Sequence, residues 1–321
     1  MNLIFRFAKY LIFGFFISCI FLSCSRQVLP VEPKSGNFTK IGGEQKGYMS
    51  LDNSPYWITK DIIVDSNATL TIQGGVHIYF SDSSRIIVKG ELNCLGSKSS
   101  PILFSAKDQY WKGIIIKTSL KPSVLQFVVV EDVDLANTND TTQNGAVDIS
   151  GANVTISNSI FRNNKSNNGG AISIMHSNSI LTNNIFYNNY AVVYGGAILS
   201  SESSNKIINN TFYKNTGFNY GGALVLLKPV LEDVQNNIFY QNICRSGDSR
   251  ISFVQTDSTH YVVQYNFLSL GNTSPLFISE TNFHLNSSSP CINAGNPSSI
   301  YDNVNGTRND QGAYGGPLGQ W

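Results

Sequence analysis

The sequence predicts an all-β protein that folds as one single-stranded parallel β-helix, a solenoid of similar coils stacked on one another. The main observation is an internal repeat of 25–27 residues, which suits one coil of such a solenoid. The second is composition, because 18 of the 85 residues from Asn158 to Asn242 are Asn and only 13% of the chain is charged. Asn, Ser, Thr and Gly favour turns over helices. Leucine-rich repeats have a similar length, but their Leu-x-x-Leu-x-Leu skeleton is missing.

The repeat is clearest over residues 145–245, where four Phe residues recur at spacings of 25, 26 and 27. Asn stands three residues before and three residues after each Phe, and an aliphatic residue stands five before. Because coils stack about 4.8 Å apart, we expect Phe and aliphatic columns inside and Asn columns that pass amide hydrogen bonds between coils. The columns are Phe161, Phe186, Phe212 and Phe239; Asn158, Asn183, Asn209 and Asn236; and Asn164, Asn189, Asn215 and Asn242.

The pairing of GGAI or GGAL with F-x-x-N resembles the repeats of chlamydial polymorphic membrane proteins. More broadly, it resembles the right-handed parallel β-helix repeat proteins of bacterial surfaces. The resemblance implies a pectate-lyase-like, right-handed solenoid over residues 54–316, followed by a C-terminal tail at 317–321. Its opening coil corresponds to SPYWITKDIIVDSNATLTIQGGVHIYF, and its closing segment to SSPCINAGNPSSIYDNVNGTRNDQGAYGG.

The first 24 residues form a separate segment. Arg6 and Lys9 precede the apolar run LIFGFFISCIFLSC, which is typical of a secretory signal. The stretch FLSC resembles a bacterial lipobox, which implies cleavage before Cys24 and a lipid on that cysteine; Cys19 in FISC is the weaker competitor. We therefore predict a signal peptide at 1–23, a lipid-anchored tether at 24–53, and a membrane as partner. An uncleaved anchor is the alternative, although about fourteen apolar residues fall short of the roughly 20 in a membrane span.

These features place the protein in the bacterial cell envelope, at the outer membrane, on its periplasmic or surface side. A formal charge of +1 gives no electrostatic footprint for nucleic acid, so no nucleic-acid partner is predicted. Past the signal region the cysteines are Cys94, Cys244 and Cys291. An oxidising compartment allows a Cys244–Cys291 disulfide, and buried unpaired thiols are the alternative.

Parallel β-helices include polysaccharide lyases and glycosidases, so an enzyme is one hypothesis. Glycoside hydrolysis needs two carboxylates about 5–9.5 Å apart, which in a coil would occupy one column on neighbouring rungs. No column between Gly145 and Arg245 carries two acids, and no catalytic residue is predicted from this pattern. A lyase or hydrolase would have to combine Arg162 with acids of the loop 131–140. His176 and His260 are isolated in the sequence.

The residues that follow the repeat Phe form a further column. If Phe points inward, strand alternation turns the next residue outward, which predicts an exposed strip of rings at one-rung spacing. Tyrosine rings are stacking platforms for sugars, and a stabilising cross-rung ladder without a ligand is the alternative. The predicted ligand-binding residues are Arg162, Tyr187, Tyr213 and Tyr240, with Tyr194 and Tyr220 before the Gly-Gly pairs widening the strip.

The segment DNVNGTRND at 302–310 is similar to an oxygen-rich Ca²⁺ loop. Asp302, Asn303, Asn305 and Asp310 are the weak metal candidates, and a structural turn is the alternative. No other cofactor is predicted. The acidic stretch VEDVD at 130–134 could bind a cation together with Asp140, or it ends a strand in solvent.

The favoured hypothesis is a lipid-anchored, non-enzymatic cell-envelope module for adhesion or for binding a glycan or another macromolecule along the coil face. A polysaccharide lyase or glycoside hydrolase acting on that face is the alternative. A structural or adhesive spacer is a third hypothesis, and it predicts no difference between the faces of the coil.

Overall fold

The computed structural model describes residues 37–117, 121–136, 142–269 and 273–321. Within these residues the chain forms 32 β-strands and three short 3-10 turns. From Thr39 to Leu268 it winds as one parallel β-helix, which confirms the predicted all-β class. Strands begin at Thr39–Glu44, inside the segment predicted as a tether, and they pair with Tyr56–Val64. The coil therefore starts earlier than the predicted residue 54.

The first wall of the coil is a nine-stranded parallel sheet whose strands contribute one rung each. Buried Leu125, Ile156, Leu181, Ile207 and Val234 form its inward column. The strands are Gly47–Met49, Thr69–Gln73, Glu91–Leu95, Ser123–Gln126, Val154–Ser157, Ile180–Thr182, Lys206–Ile208, Glu232–Gln235 and Tyr261–Gln264.

The other two walls belong to one seventeen-stranded sheet, because the long strands Thr39–Glu44 and Tyr56–Val64 turn the corner between them. The first ladder continues through His77–Phe80, Ile102–Ala106, Val128–Glu131, Ile160–Arg162, Ile185–Tyr187, Thr211–Tyr213, Ile238–Tyr240 and Phe267–Leu268. The second ladder continues through Ile86–Val88, Ile114–Lys117, Val147–Ser150, Ile172–Met175, Ile198–Ser201, Leu224–Leu227 and Ile251–Val254.

Two smaller sheets complete the described fold. A four-stranded parallel sheet lies between the first and second ladders and consists of Lys165–Asn168, Tyr190–Tyr194, Thr216–Tyr220 and Ile243–Ser246. A two-stranded antiparallel hairpin, Phe277–Ser279 with Asn282–Leu285, follows the coil. The 3-10 turns are Leu51–Asn53, Ser258–His260 and Ser299–Tyr301.

The repeat Phe residues form the predicted inward column. Phe161, Phe186, Phe212 and Phe239 are fully buried, and neighbouring ring centroids lie 5.2, 5.0 and 4.6 Å apart in stacked geometry. Such pairs add about 0.5–1.5 kcal/mol each beyond the burial of their area. The Gly-Gly turns permit this close stacking, since a Cβ on Gly196 would lie 2.1 Å from the carbonyl oxygen of Gly222 on the next rung.

One predicted Asn ladder is confirmed. Asn189 Nδ2 donates to Phe161 O and to Asn215 Oδ1, both at 2.9 Å, and Asn189 Oδ1 accepts from Asn164 N at 3.2 Å. The ladder ends at Asn242, whose Oδ1 accepts from Asn215 Nδ2 at 3.0 Å. These bonds satisfy buried N–H and C=O groups in the backbone of the turns, which would otherwise have no hydrogen-bond partner.

The other predicted Asn column has one cross-rung bond, from Asn236 Nδ2 to Asn209 Oδ1 at 3.4 Å, and the continuous ladder lies one residue further along the chain. Asn158, Asn183, Asn209 and Asn236 have positive φ of 51°, 57°, 54° and 58°, so their side chains turn outward. Asn tolerates this left-handed conformation better than most residues. The second Asn ladder consists of the residues that directly follow Asn183, Asn209 and Asn236, together with Asn266. Its members are Asn184, Asn210, Asn237 and Asn266.

Residues 273–321 do not continue the coil; they run back along its side, and we call them the C-terminal strap. The outward Asn residues hold it: Asn183 Nδ2 donates to Ala313 O and Gly315 O at 2.9 and 2.7 Å, and Asn158 Nδ2 donates to Leu318 O at 2.9 Å. Trp321 is buried and its indole Nε1 donates to Ala313 O at 2.8 Å. The predicted coil end at 316 and tail at 317–321 thus belong to one strap.

Candidate functional site

The predicted exposed strip of Tyr187, Tyr213 and Tyr240 is wrong. The three side chains do lie in register on neighbouring rungs, but the hairpin of the strap covers them. Tyr213 is only 4% exposed, with Phe283 at 5.5 Å and Phe277 at 6.0 Å between ring centroids. Tyr187 and Tyr240 are partly buried against the same two rings. The geometry matches the alternative, a stabilising aromatic ladder.

Arg162 lies one rung before Tyr187 and forms a cross-rung ion pair. Its Nε lies 2.6 Å from Glu131 Oε2, and its Nη1 donates to Tyr187 Oη at 3.0 Å. Burial opposes the charge of the guanidinium, but Glu131 and Tyr187 outweigh burial and raise the pKa of Arg162. Arg162 and Glu131 thus converge as the enzyme hypothesis requires, and each neutralises the other.

The remaining acids of the VEDVD stretch point to different partners. Asp132 Oδ2 accepts from Ser105 Oγ at 3.0 Å, and Asp134 Oδ2 lies 3.7 Å from Lys165 Nζ. Asp140 lies outside the described residues. Among the residues that are described, no group of three or more His, Cys, Asp and Glu side chains is placed to share a metal ion.

Tyr194 and Tyr220 lie on another face, in the four-stranded sheet. They are register partners whose rings stack with centroids 5.8 Å apart, and Tyr220 is 43% exposed. One rung further on, the partner of Tyr220 is Ser246, followed by Gly247. A Cβ on Gly247 would lie 3.5 Å from Tyr220 Cδ1, so the chain passes close to the ring. The tyrosine column stops here, and no third ring covers Tyr220.

A cleft of about 530 Å³ opens beside Tyr220 where the column stops. Tyr194, Tyr220 and the half-exposed Phe253 provide its apolar lining. Its polar lining includes Asp248, Ser252 and Gln255. Apolar rings beside a few polar groups are the usual make-up of a site for a small polar ligand such as a sugar.

The charged edge of the cleft is pre-organised. Arg250 Nε donates to Asp248 Oδ1 at 2.8 Å, and Ser252 Oγ donates to Asp248 O at 2.9 Å. Partial burial raises the pKa of Asp248, but hydrogen bonds from Arg250 outweigh it and leave that pKa below its usual value. Asp248 is therefore an ionised acceptor at neutral pH. Asp248, Ser252, Phe253 and Gln255 are not among the residues predicted from the sequence. The sequence signal for this cleft is the Ser246-Gly247 pair, which stands in place of a third tyrosine.

A second, shallower depression lies past Gln255. It is lined by Lys228, Pro229, Gln255, Thr256, Asp257 and His260. The two histidines that seemed isolated in sequence each meet an acid: His260 Nδ1 lies 2.8 Å from Asp257 Oδ1, and His176 Nε2 lies 3.1 Å from Glu202 Oε2. These contacts are exposed and hold the turns on the outside of the coil.

The residues of the predicted Ca²⁺ loop form a hydrogen-bonded turn. Asn303 Oδ1 accepts from Asp310 N at 3.1 Å and from Gly316 N at 2.8 Å. Asn305 Oδ1 accepts from Thr307 N at 3.1 Å. Asp310 Oδ1 accepts from Asn293 N at 2.6 Å. Of the four metal candidates, Asn303, Asn305 and Asp310 thus already accept hydrogen bonds from backbone amides. This arrangement favours the structural turn.

Cys94, Cys244 and Cys291 are unpaired thiols, so the Cys244–Cys291 disulfide left open by the sequence does not form. Cys94 and Cys291 are buried, which raises the pKa of both thiols. Cys24 and the predicted signal peptide lie outside the described residues. In the part of the chain that is described, no helix is long and apolar enough to cross a membrane.

One comparison with protein families matches part of the chain. Residues 112–266 match the family model of the right-handed β-helix region, in agreement with the predicted fold class. A solved structure, the crystal structure of pectate lyase Pel9A, shares 15% identity with a TM-score of 0.44, covering 89% of this chain and 84% of that chain. The comparison with curated proteins gave no match.

Proposed function

We propose that this protein is a lipid-anchored module of the bacterial cell envelope that binds a glycan, without cleaving it, in the cleft beside Tyr220. The observation that carries the proposal is the interrupted tyrosine column. Each rung would place the next ring about 4.8 Å away, and at the next rung the chain has Ser246 and Gly247 instead. A sugar ring can occupy the place of the third tyrosine, with one face against Tyr220.

The polar groups of the cleft suit the hydroxyls of a sugar. Asp248 accepts hydrogen bonds, Ser252 has a hydroxyl, and the exposed Gln255 amide both donates and accepts. Covering one face of a tyrosine ring is worth about 1–2 kcal/mol at 25 cal/mol per Å² of apolar area. Single-site affinity is therefore weak, and repeated glycan units or many anchored copies would raise it by avidity.

A glycan array probed with the full-length chain in detergent tests the proposal. Tyr220→Ala is expected to lower the affinity about five- to thirtyfold, in line with the loss of about 1–2 kcal/mol. Tyr48→Ala is the matched control, because Tyr48 is 83% exposed and lies at the opposite end of the coil. Equal binding by both variants would refute the assignment of the site to the cleft.

The anchor is tested separately. Cys24→Ser is expected to abolish incorporation of a labelled fatty acid and to release the protein from the membrane fraction. Cys19→Ser is the matched control and should leave both unchanged. Loss of lipid from the Cys19 variant instead would move the anchor to Cys19.

A polysaccharide lyase or glycoside hydrolase is the second candidate, favoured by the convergence of Arg162 with Glu131. Register explains the contact without catalysis, because Glu131 and Arg162 are Cα partners on adjacent strands. Incubation with any glycan that binds should produce no new reducing or unsaturated ends. Such ends, lost in Arg162→Ala and retained in Tyr220→Ala, would support the enzyme.

A further inference from the structure

The coil ends in a rung whose apolar interior is open to solvent. The four strands of this rung are Ile243–Ser246, Ile251–Val254, Tyr261–Gln264 and Phe267–Leu268, and we call the surface that they form the open end. Each strand is the last member of its ladder, so within the described residues no further strand pairs with its outer edge. The strap does not close this end, because it runs back along the side of the coil.

Inward columns that are fully buried one rung earlier become exposed at the open end. Phe239 and Leu226 are fully buried, whereas their register partners Leu268 and Phe253 are 37% and 42% exposed. Solenoid proteins normally cover such an end with a capping repeat whose outer face is polar. The open end is instead a cross-section of the hydrophobic core, and an exposed apolar surface of this kind marks a site for a partner.

The two Asn ladders also stop at the open end. Asn237 Nδ2 donates to a backbone carbonyl and to Oδ1 of Asn266 on the next rung, at 2.8 and 2.9 Å. Asn266 Nδ2 donates to a backbone carbonyl at 2.8 Å, and no Asn of the described chain lies beyond it in the ladder. Asn242 ends the other ladder in the same way, with one bond from Nδ2 to a backbone carbonyl at 3.0 Å. The second N–H of each terminal amide therefore faces the place of a next rung, which would supply its acceptor.

The strands of the open end lack the charges that usually keep sheet edges apart. Natural edge strands are commonly protected by Lys, Pro or other charged side chains. These four strands contain a single charged residue, Arg245, whose guanidinium lies 5.9 Å from the ring centre of Phe218 on the rung before. The turns between them add one basic and two acidic side chains, so residues 243–268 carry no net charge with His260 neutral. Two such ends therefore do not repel each other.

We propose that two copies of this chain associate end to end through their open ends, as a two-fold symmetric dimer. Coils of the same hand that meet about a two-fold axis run in opposite directions around the joint, so their last strands pair antiparallel. An extended peptide can pair with one edge, but three walls and the core between them match only another end of the same cross-section. Strand edges also supply the carbonyl acceptors that Asn242 and Asn266 need, which a lipid or detergent surface does not.

The size of the contact sets the strength of the dimer. The four strands contribute four, four, four and two residues per copy, fewer than the about 20–30 residues a side of a stable interface. The dimer is therefore weak and forms as the concentration rises. It requires neither the anchor nor a bound glycan. Because Phe253 also lines the glycan cleft, the test uses residues outside the cleft.

Sedimentation velocity of the full-length chain in detergent, over a range of concentrations, tests the dimer. The mass of the protein is expected to rise with concentration to twice that of one chain. Leu268→Lys places a cation in the apolar surface of both copies and should raise the dissociation constant about tenfold or more. Ile243→Lys is a second variant that leaves the core intact, because Ile243 is 62% exposed on an edge strand, and it should act in the same direction.

Leu95→Lys is the matched control, since Leu95 is 49% exposed on a strand away from the open end and the variant should dimerise as the unaltered chain does. The mass of one chain at every concentration would overturn the proposal. Association that persists unchanged in both Leu268→Lys and Ile243→Lys would overturn it too, and would assign the contact to the anchors or to another face. Growth beyond two copies would replace the two-fold dimer by a head-to-tail contact, which does not close.

Discussion

The coil carries two tyrosine columns that arise from the same repeat and have opposite environments. Tyr187, Tyr213 and Tyr240 lie under the hairpin of the strap, whereas Tyr194 and Tyr220 lie uncovered in the four-stranded sheet. Rung-to-rung stacking is the same in both, with 5.8 Å between the centroids of Tyr213 and Tyr240 and of Tyr194 and Tyr220. A stacked column is therefore a structural consequence of the repeat. Under the proposed function, a ligand can reach a ring only where such a column ends without a cover.

The largest expected effect is on the covered column. Phe283→Ala removes a buried ring that contacts Tyr187 and Tyr213, and should lower the free energy of unfolding by about 3–4 kcal/mol. Phe253→Ala is the control, since Phe253 is 42% exposed and should cost much less. Denaturant unfolding measures both, and equal losses would mean that the strap does not cover the column as described.

The next largest effect is the pH dependence of the free energy of unfolding that arises from the buried Glu232. Burial raises the pKa of Glu232 from 4.5 to about 7, despite hydrogen bonds from Ser200 and Asn205, and the charge of Asp233 acts in the same direction. The pKa of Glu232 is higher in the folded protein than in the unfolded chain. The contribution of protonated Glu232 to the free energy of unfolding is therefore fully present below pH 4.5 and is lost as pH rises through 7, by about 3 kcal/mol.

Glu232→Gln should remove this pH dependence between 4.5 and 7, measured as the free energy of unfolding at a series of pH values. Glu44→Gln is the control, because Glu44 is exposed and the variant should leave the slope unchanged. An unaltered slope in Glu232→Gln would show that another group titrates.

A smaller effect is expected from the clamps of the strap. Asn209 Nδ2 donates to Asp310 O at 2.9 Å and to Gly312 O at 3.2 Å. Asn209→Gly keeps the positive φ but removes these bonds, and should cost about 1–2 kcal/mol. Asn188→Gly, also at positive φ but exposed, is the matched control. Equal stability of the two variants would show that the clamp contributes nothing.

The smallest expected effect compares the columns directly. Tyr220→Ala should lower the free energy of unfolding by less than about 1 kcal/mol, since the ring is half exposed. Tyr213→Ala, at a buried position of the same type, should cost about 3 kcal/mol. A cost for Tyr220 as large as that for Tyr213 would indicate that Tyr220 is mainly structural.

The repeat made the architecture predictable from the sequence, because stacking needs only local periodicity. The Phe column and the ladder through Asn189 follow from spacing alone. The second Asn ladder lies one residue from its predicted place because Asn183-Asn184 and Asn209-Asn210 are doublets. The residue type alone does not show which Asn of a doublet takes the left-handed conformation. The structure assigns it to the first member of each doublet.

The covered tyrosines could not be predicted, because the strap lies far from them in sequence. Phe283 meets Tyr187 across 96 residues, and no local pattern indicates that contact. The cleft is hard to predict for a different reason, because its sequence signal is an absence. The tyrosine column ends at Tyr220, and the next rung has Ser246 at that position. Reading the column on to Ser246 would have pointed to it.

The most direct test of the proposed function is to complete the interrupted column. Ser246 is exposed and is the register partner of Tyr220, so Ser246→Tyr places a third ring on the open face. We predict that glycan binding is lost while the free energy of unfolding stays the same or rises. Undiminished binding by a stably folded Ser246→Tyr variant would contradict the claim that the ligand stacks on Tyr220.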